Sequence, residues 1–173
     1  LLLTDITLDT IRQVDGAASR AEGVCVGTPA PGVTVLIAAL DSAGDPSAAP
    51  ADVRDVTGEI VVSAPHLKLG YDRLWLTDQA AIRGTDDSTR WHRTGDVGHL
   101  DDEGRLWIEG RLPHVVVTAD GPVTPVGPEQ RIQGVDGVAR AAIAGVGPAG
   151  TAQLVAIIET RIPARRPALA SSE

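Results

Sequence analysis

Runs of apolar residues divide the chain into short predicted strands. Residues 33–40 (VTVLIAAL) are almost continuously apolar, which is typical of a buried strand, and Gly58–Ser63 (GEIVVS) predicts a second strand. Between them, residues 41–55 are rich in Ala, Ser, Pro and Asp and predict an exposed loop. The mainly aliphatic and β-branched composition of these runs favours strands over long helices.

The clearest local signal lies at residues 97–109. Two short strand candidates, 97–100 and 105–109, flank an acidic turn closed by glycine (DDEG), which predicts a β-hairpin. Further along, the sequence predicts strands at 115–118, Val138–Val146 and Gln153–Thr160, a turn at 120–122 and a short helix at 128–133. We therefore expect a strand-rich α+β fold, divided near Gly110 into residues 1–109 and a small, incomplete α+β unit at 110–173.

The charge and cysteine content exclude several classes of protein. The formal net charge is −8, whereas nucleic-acid binding needs a basic surface. A single cysteine, Cys25, cannot form an internal disulfide, which suits a reducing compartment. The sequence contains no apolar run of the ~18 residues that a transmembrane helix needs. We expect a soluble cytoplasmic protein with no nucleic-acid partner.

Two polar features frame the predicted hairpin. Thr94-Gly95-Asp96 precedes it and Arg111 follows it. Taken alone, Thr94-Gly95-Asp96 is most simply a turn, and Arg111 is most simply a solvated charge. Together they have a chemical meaning, because a carboxylate accepts hydrogen bonds from a ribose diol and a guanidinium forks onto phosphate or carboxylate oxygens. A hairpin of fixed length could bring both groups to one nucleotide.

The order of several short motifs resembles the adenylate-forming superfamily, which includes acyl-CoA synthetases, luciferases and peptide-synthetase adenylation domains. The resemblance covers most of the chain, and its motifs are GEI at 58–60, GY at 70–71, WHRTGD at 91–96, LD at 100–101, GRL at 104–106 and GR at 110–111. It implies that residues 1–109 are the distal end of a large nucleotide-binding domain. Residues 110–173 would then hold a hinge and part of a small mobile domain.

The resemblance also implies ligands and residue roles. Asp96 matches the aspartate that binds the ribose hydroxyls of ATP and AMP, with Thr94 and Gly95 beside it in the same motif. Arg111 matches the arginine that contacts the nucleotide at the domain junction, and it is the candidate catalytic residue. The implied cofactors are ATP and the Mg²⁺ that accompanies it. No protein metal site is expected, because the four histidines lack metal-ligand spacing.

Departures from the superfamily pattern indicate which branch of the superfamily the chain resembles. The usual hinge position holds Pro113, whose fixed φ restricts the expected rotation. The segment after Arg111 lacks the usual lysine and carries His114, which with His92 lies near the expected site. This variant looks like the β-lactone synthetases of bacterial olefin biosynthesis. The resemblance implies a 2-alkyl-3-hydroxy fatty acid substrate, whose 3-hydroxyl closes on the acyl adenylate.

Other expected parts of such an enzyme do not occur in the sequence. There is no Ser/Thr/Gly-rich phosphate loop ending in lysine, and the only lysine, Lys68, does not match the catalytic one. We therefore expect a fragment that is inactive alone and whose partner is the upstream part of the same enzyme. Two alternatives remain open: a fragment of a fatty acyl-CoA synthetase, and a non-catalytic remnant that acts as a binding or structural module.

Overall fold

A seven-stranded antiparallel sheet contains most of the described residues before Leu112. The computed structural model describes residues 3–7, 23–46, 49–65, 67, 82–83 and 91–161. The strands are β1 (Thr4–Asp5), β2 (Val24–Pro29), β3 (Thr34–Ala39), β4 (Gly58–Ser63), β5 (Ile82–Arg83), β6 (Trp91–Leu100) and β7 (Leu106–Arg111). Their order across the sheet is β1-β2-β7-β6-β4-β3, and β5 pairs with the beginning of β6.

After Arg111 the chain leaves this sheet and forms smaller elements. A 3₁₀ turn at Leu112–His114 leads into a hairpin of β8 (Val116–Thr118) and β9 (Gly121–Val123). Helix α1 (Val126–Gln133) follows, and then a second hairpin of β10 (Val138–Val146) and β11 (Gln153–Thr160). No helix of the described chain is long and apolar enough to cross a membrane.

One face of the large sheet carries its apolar core. Because side chains alternate along a strand, every second residue of the central strands points to this face. The buried members of the cluster are Ala30, Val33, Val35, Ile37, Ile60, Val62, Leu100 and Leu106. The opposite face buries charged and polar side chains, among them Glu59, His99 and Glu109, which are each less than 9% exposed.

The strand-rich α+β fold expected from the sequence is confirmed. Strands β4, β10 and β11 begin and end where the sequence predicts. The predicted turn at 120–122 is wrong in part, since Gly121–Val123 forms β9 and the reversal is at 119–120. The hairpin of β6 and β7 is longer than predicted, because its pairing extends to Asp96 and Arg111. Strand β6 itself begins at Trp91, and its first residues pair with β4 and β5. The division near Gly110 stays a prediction.

Candidate functional site

The Thr94-Gly95-Asp96 segment is a bulge in β6. Two ladder pairs, Val61 with Arg93 and Glu59 with Val97, are two residues apart on β4 but four apart on β6. The extra residues cannot stay in the ladder, and Gly95 takes a φ of +72°, which favours glycine. The Thr94 hydroxyl donates to the Ile60 carbonyl oxygen (2.8 Å) across the interrupted ladder. A bulge re-aims side chains, and here it turns the segment out of the regular sheet.

A second bulge lies on the other side of β6, in β7. The ladder pairs Gly98 with Ile108 and then Val97 with Gly110, so Glu109 has no partner across the ladder. The pair after this shift joins Asp96 to Arg111. The hairpin therefore places Asp96 and Arg111 opposite each other, and their joint contact with one nucleotide stays a prediction. They lie within the strands, however, and not before and after them as expected.

Asp96 and Arg111 form an ion pair at the surface. An oxygen of the Asp96 carboxylate lies 2.9 Å from a terminal guanidinium nitrogen of Arg111, and the two side chains are 35% and 59% exposed respectively. The same guanidinium donates to the Thr94 carbonyl oxygen at 3.3 Å, and the Thr94 hydroxyl accepts from the Asp96 N–H at 3.0 Å. Among the described residues, nothing bonds the second Asp96 oxygen. Thr94, Gly95, Asp96 and Arg111 thus form one partly exposed polar group.

This group has the chemistry that a nucleotide needs. The Asp96 carboxylate has capacity for ribose hydroxyl donors, and Arg111 offers further N–H donors to phosphate or carboxylate oxygens. A Cβ placed on Gly95 would have no described atom within 4 Å, so the backbone can be approached closely there. The four residues therefore fit one edge of a nucleotide site.

Behind the exposed pair lies a buried carboxylate that the sequence analysis did not single out. Glu109 is 7% exposed. Its oxygens accept from the hydroxyls of Thr57 (2.9 Å) and Thr124 (2.8 Å), and one of them lies 2.8 Å from Nδ1 of His99. These partners come from the residue before β4, from β6 and from the segment between β9 and α1. No spacing in the sequence links three such distant positions to Glu109.

Two other buried acids are also held by specific partners. The Asp101 carboxylate accepts from Trp107 Nε1 (2.8 Å) and Arg105 Nε (2.6 Å). Burial acts to raise the pKa of Asp101, but hydrogen bonds from Trp107 and Arg105 outweigh it and hold that pKa below its usual value. Glu59, 2% exposed, pairs with the Arg93 guanidinium. These contacts fix both ends of the hairpin on which Asp96 and Arg111 stand.

The two histidines that the sequence placed near the site lie on β6 and in the 3₁₀ turn. His92 is opposite Val62 and Ile82 in the ladders of β6. His114 is exposed and ends the 3₁₀ turn, which also contains Pro113. Within the described ranges, no three His, Cys, Asp or Glu side chains form a group that could hold a metal ion.

Known proteins are similar to this chain in sequence. The olefin β-lactone synthetase of Stenotrophomonas maltophilia is 39% identical over 155 residues, which cover 86% of this chain and 28% of that protein. Its matched region is the carboxyl-terminal part. A long-chain fatty-acid–CoA ligase of Mycobacterium tuberculosis is 36% identical over 89 residues, 51% of this chain and 17% of the ligase. No protein-family model matches the chain.

A solved structure agrees with these sequence relatives. ATP-bound MatB from Rhodopseudomonas palustris, an adenylate-forming enzyme, superimposes with a TM-score of 0.67 at 27% identity, over 83% of this chain and 27% of MatB. The chain is similar to the carboxyl-terminal part of adenylate-forming enzymes. It spans less than a third of the length of these relatives.

Proposed function

We propose that this chain serves as the carboxyl-terminal part of an ATP-dependent ligase that converts a carboxylic acid into an acyl adenylate. The observation that carries the proposal is the paired Asp96 and Arg111, exposed at a double bulge of the sheet. Thr94 and Gly95 complete this nucleotide-binding edge. The kinship with adenylate-forming enzymes supports the assignment.

Each residue has a distinct role in this proposal. Asp96 accepts hydrogen bonds from the ribose hydroxyls, and Arg111 donates to oxygens where negative charge accumulates as the acid attacks. ATP, escorted by Mg²⁺, supplies the adenylyl group. The substrate carboxylate attacks the α-phosphorus and pyrophosphate leaves. Stabilisation of this step needs several donors together, and the described residues offer only part of such a set.

We propose a 2-alkyl-3-hydroxy fatty acid as the substrate. In the step after adenylation, the 3-hydroxyl oxygen bonds to the acyl carbon, its proton is lost to a base, and AMP leaves with the bonding electrons, which gives a β-lactone. The 39% identity with an olefin β-lactone synthetase over 155 residues supports this choice. A fatty acyl-CoA ligase is the second candidate, supported by 36% identity with such a ligase over 89 residues.

The proposal extends to the organisation of the chain. Residues 1–109 would belong to the large nucleotide-binding domain, and residues 110–173 to the hinge and small domain. Pro113, in the turn after Arg111, would limit the rotation between them. The partner that supplies the remaining donors would be the upstream part of the same enzyme, working in the cytoplasm.

A chimera tests this function directly. The chain would replace the matching carboxyl-terminal region of the Stenotrophomonas synthetase, and pyrophosphate release would be measured with ATP, Mg²⁺ and a 2-alkyl-3-hydroxy fatty acid. We expect turnover, and Asp96→Ala should lower kcat/KM for ATP. The loss of a charged acceptor to two hydroxyls costs about 2–4 kcal/mol, which is roughly a 30- to 1000-fold decrease.

The controls separate the candidate functions. Asp102→Ala removes an exposed carboxylate from the turn of the same hairpin and should leave kcat/KM unchanged. Mass spectrometry would identify a β-lactone, or an acyl-CoA thioester when CoA is added, and the thioester would favour the second candidate. A folded chimera that binds ATP without turnover would indicate a non-catalytic module. Equal activity of Asp96→Ala and the parent chimera would contradict the role of Asp96.

A further inference from the structure

Glu109 occupies an unusual position between the two strands that carry the site. From Leu100–Leu106 to Gly98–Ile108, each step of one residue along β6 is matched by one residue along β7. Between Gly98–Ile108 and Val97–Gly110, one residue on β6 is matched by two on β7. Glu109 is the extra residue. In a regular ladder continued from the turn, Arg111 would be opposite Gly95 and Asp96 would be opposite Gly110.

A one-residue change of register has a large effect on the site. Because side chains alternate along a strand, such a slip moves each following side chain to the other face of the sheet. The Arg111 guanidinium would then leave the face on which it meets Asp96. The ion pair at 2.9 Å therefore depends on Glu109 staying outside the ladder.

The contacts of Glu109 explain why it stays out. A buried carboxylate needs hydrogen-bond donors, and in a regular ladder Glu109 would be opposite the fully buried Val97. In the bulged position its oxygens have Thr57, Thr124 and His99 within 2.9 Å. The bulge leaves Glu109 outside the ladder, and there its buried carboxylate has three polar contacts. Without such contacts, burial of the carboxylate would cost free energy.

The backbone after Glu109 is built for the same arrangement. Gly110 has a φ of +149°, which lies in the region that favours glycine. A Cβ on this residue would lie 2.9 Å from Cδ of Pro125, so Gly110 also lets the segment before α1 approach the sheet. Thr124, next to Pro125, is one of the three partners of the carboxylate.

We propose that Glu109 is a positioning residue for the nucleotide-binding pair. Its buried carboxylate holds the bulge of β7, and the bulge places Arg111 opposite Asp96. The link to nucleotide binding rests on the proposed function, whereas the control of register does not. Glu109 itself does not touch the nucleotide.

The register can be measured on the 173-residue chain without any ligand. Isotope-labelled protein would be examined by NMR for cross-strand backbone contacts. The parent should show contacts between Asp96 and Arg111. In Glu109→Val, which removes the carboxylate and favours a strand, we expect contacts between Arg111 and Gly95 to replace them. Retention of the Asp96–Arg111 contacts in Glu109→Val would overturn the proposal.

Matched variants isolate the cause. Glu109→Gln keeps the shape and one acceptor oxygen and should keep the parent register. Glu103→Val removes a carboxylate from the exposed turn of the same hairpin and should also keep it. A slip in Glu103→Val would attribute the effect to loss of charge in general, and would overturn the proposal.

A gentler variant covers the case in which Glu109→Val does not fold. Thr57→Val with Thr124→Val removes two donors and leaves the bulged residue in place. We expect amide exchange in the β6–β7 ladder near Arg111 to become at least about tenfold faster, the change that a loss of about 1.4 kcal/mol produces. Unchanged exchange in this double variant would contradict the inference.

Nucleotide use supplies a separate readout. In the chimera, Glu109→Val should lower kcat/KM for ATP as much as Asp96→Ala does, and the two changes together should cost no more than either alone. Glu109→Gln should restore most of the activity. If the chimera never uses ATP, the proposed function fails while the NMR register still decides the role of Glu109.

Discussion

The turn of the β6–β7 hairpin makes a sharp stability prediction. Asp101 is 8% exposed, and its two oxygens accept from Trp107 Nε1, Arg105 Nε and the Arg105 backbone N–H, at 2.6–2.8 Å. Asp101→Asn keeps the size of the side chain but replaces one acceptor with a donor. Whichever way the amide points, at least one N–H of Arg105 or Trp107 then faces another N–H.

The expected loss follows from these contacts. An unsatisfied buried donor costs about 1–3 kcal/mol. The ion pair with the partly exposed Arg105 adds up to about 1 kcal/mol. We therefore expect Asp101→Asn to lower the free energy of unfolding by about 1–4 kcal/mol at pH 7. The measurement is urea denaturation followed by tryptophan fluorescence, which Trp107 reports because it is buried next to the substituted residue. Asp102 lies in the same turn but is exposed, so Asp102→Asn should change the free energy of unfolding by less than about 0.5 kcal/mol.

The pH dependence gives a second, independent check on Asp101. Its pKa is lowered in the folded chain, so its ionised form stabilises the fold at every pH above the unfolded-state pKa of about 3.9. That contribution is lost as the pH falls below this value and through the folded pKa. The gap between parent and Asp101→Asn should therefore be constant from pH 7 to pH 5 and narrow below about pH 4. A gap that stays the same down to pH 3, or no gap at pH 7, would refute the reasoning.

Two further predictions concern the buried ion pair and the isolated chain. Arg93→Met should lower the free energy of unfolding by about 3–5 kcal/mol, because it leaves the buried Glu59 carboxylate without its cation. The double variant with Glu59→Gln should recover most of this loss. Urea denaturation would measure both changes. The 173-residue chain alone should release no pyrophosphate above background from ATP, Mg²⁺ and a 3-hydroxy fatty acid, since its sequence has no phosphate loop. Release by the purified monomer would show that the chain carries a complete site.

Some elements could be predicted from the sequence because local signals agree there. Strand β4 is short, apolar and begins with glycine, and β10 and β11 are long runs rich in Val, Ile, Leu and Ala. The acidic turn closed by Gly104 gives the hairpin its position. In each case the sequence signal lies within the residues that form the element.

The beginning of β6 could not be predicted in this way. Its first residues, WHRTGD, show no apolar alternation and look like an irregular motif. They form a strand because of partners elsewhere: Arg93 pairs with the buried Glu59 of β4, and the Thr94 hydroxyl bonds to the Ile60 carbonyl. Neither partner can be identified from spacing, since both lie more than 30 residues away in sequence.

The pairing of Asp96 with Arg111 marks the limit of local reasoning. Counting outward from the turn in a regular hairpin gives Gly95 as the residue opposite Arg111, which would leave the carboxylate and the guanidinium on different faces. The observed pairing needs a residue that leaves the ladder, and Glu109 does so because donors from three separate segments surround its carboxylate. The surface residues of the site can therefore be predicted from a sequence motif, whereas Glu109, the buried residue that aligns them, can be identified only in the folded structure. Positions of this kind, buried, charged and outside the ladder, are where substitutions far from a ligand should alter its binding.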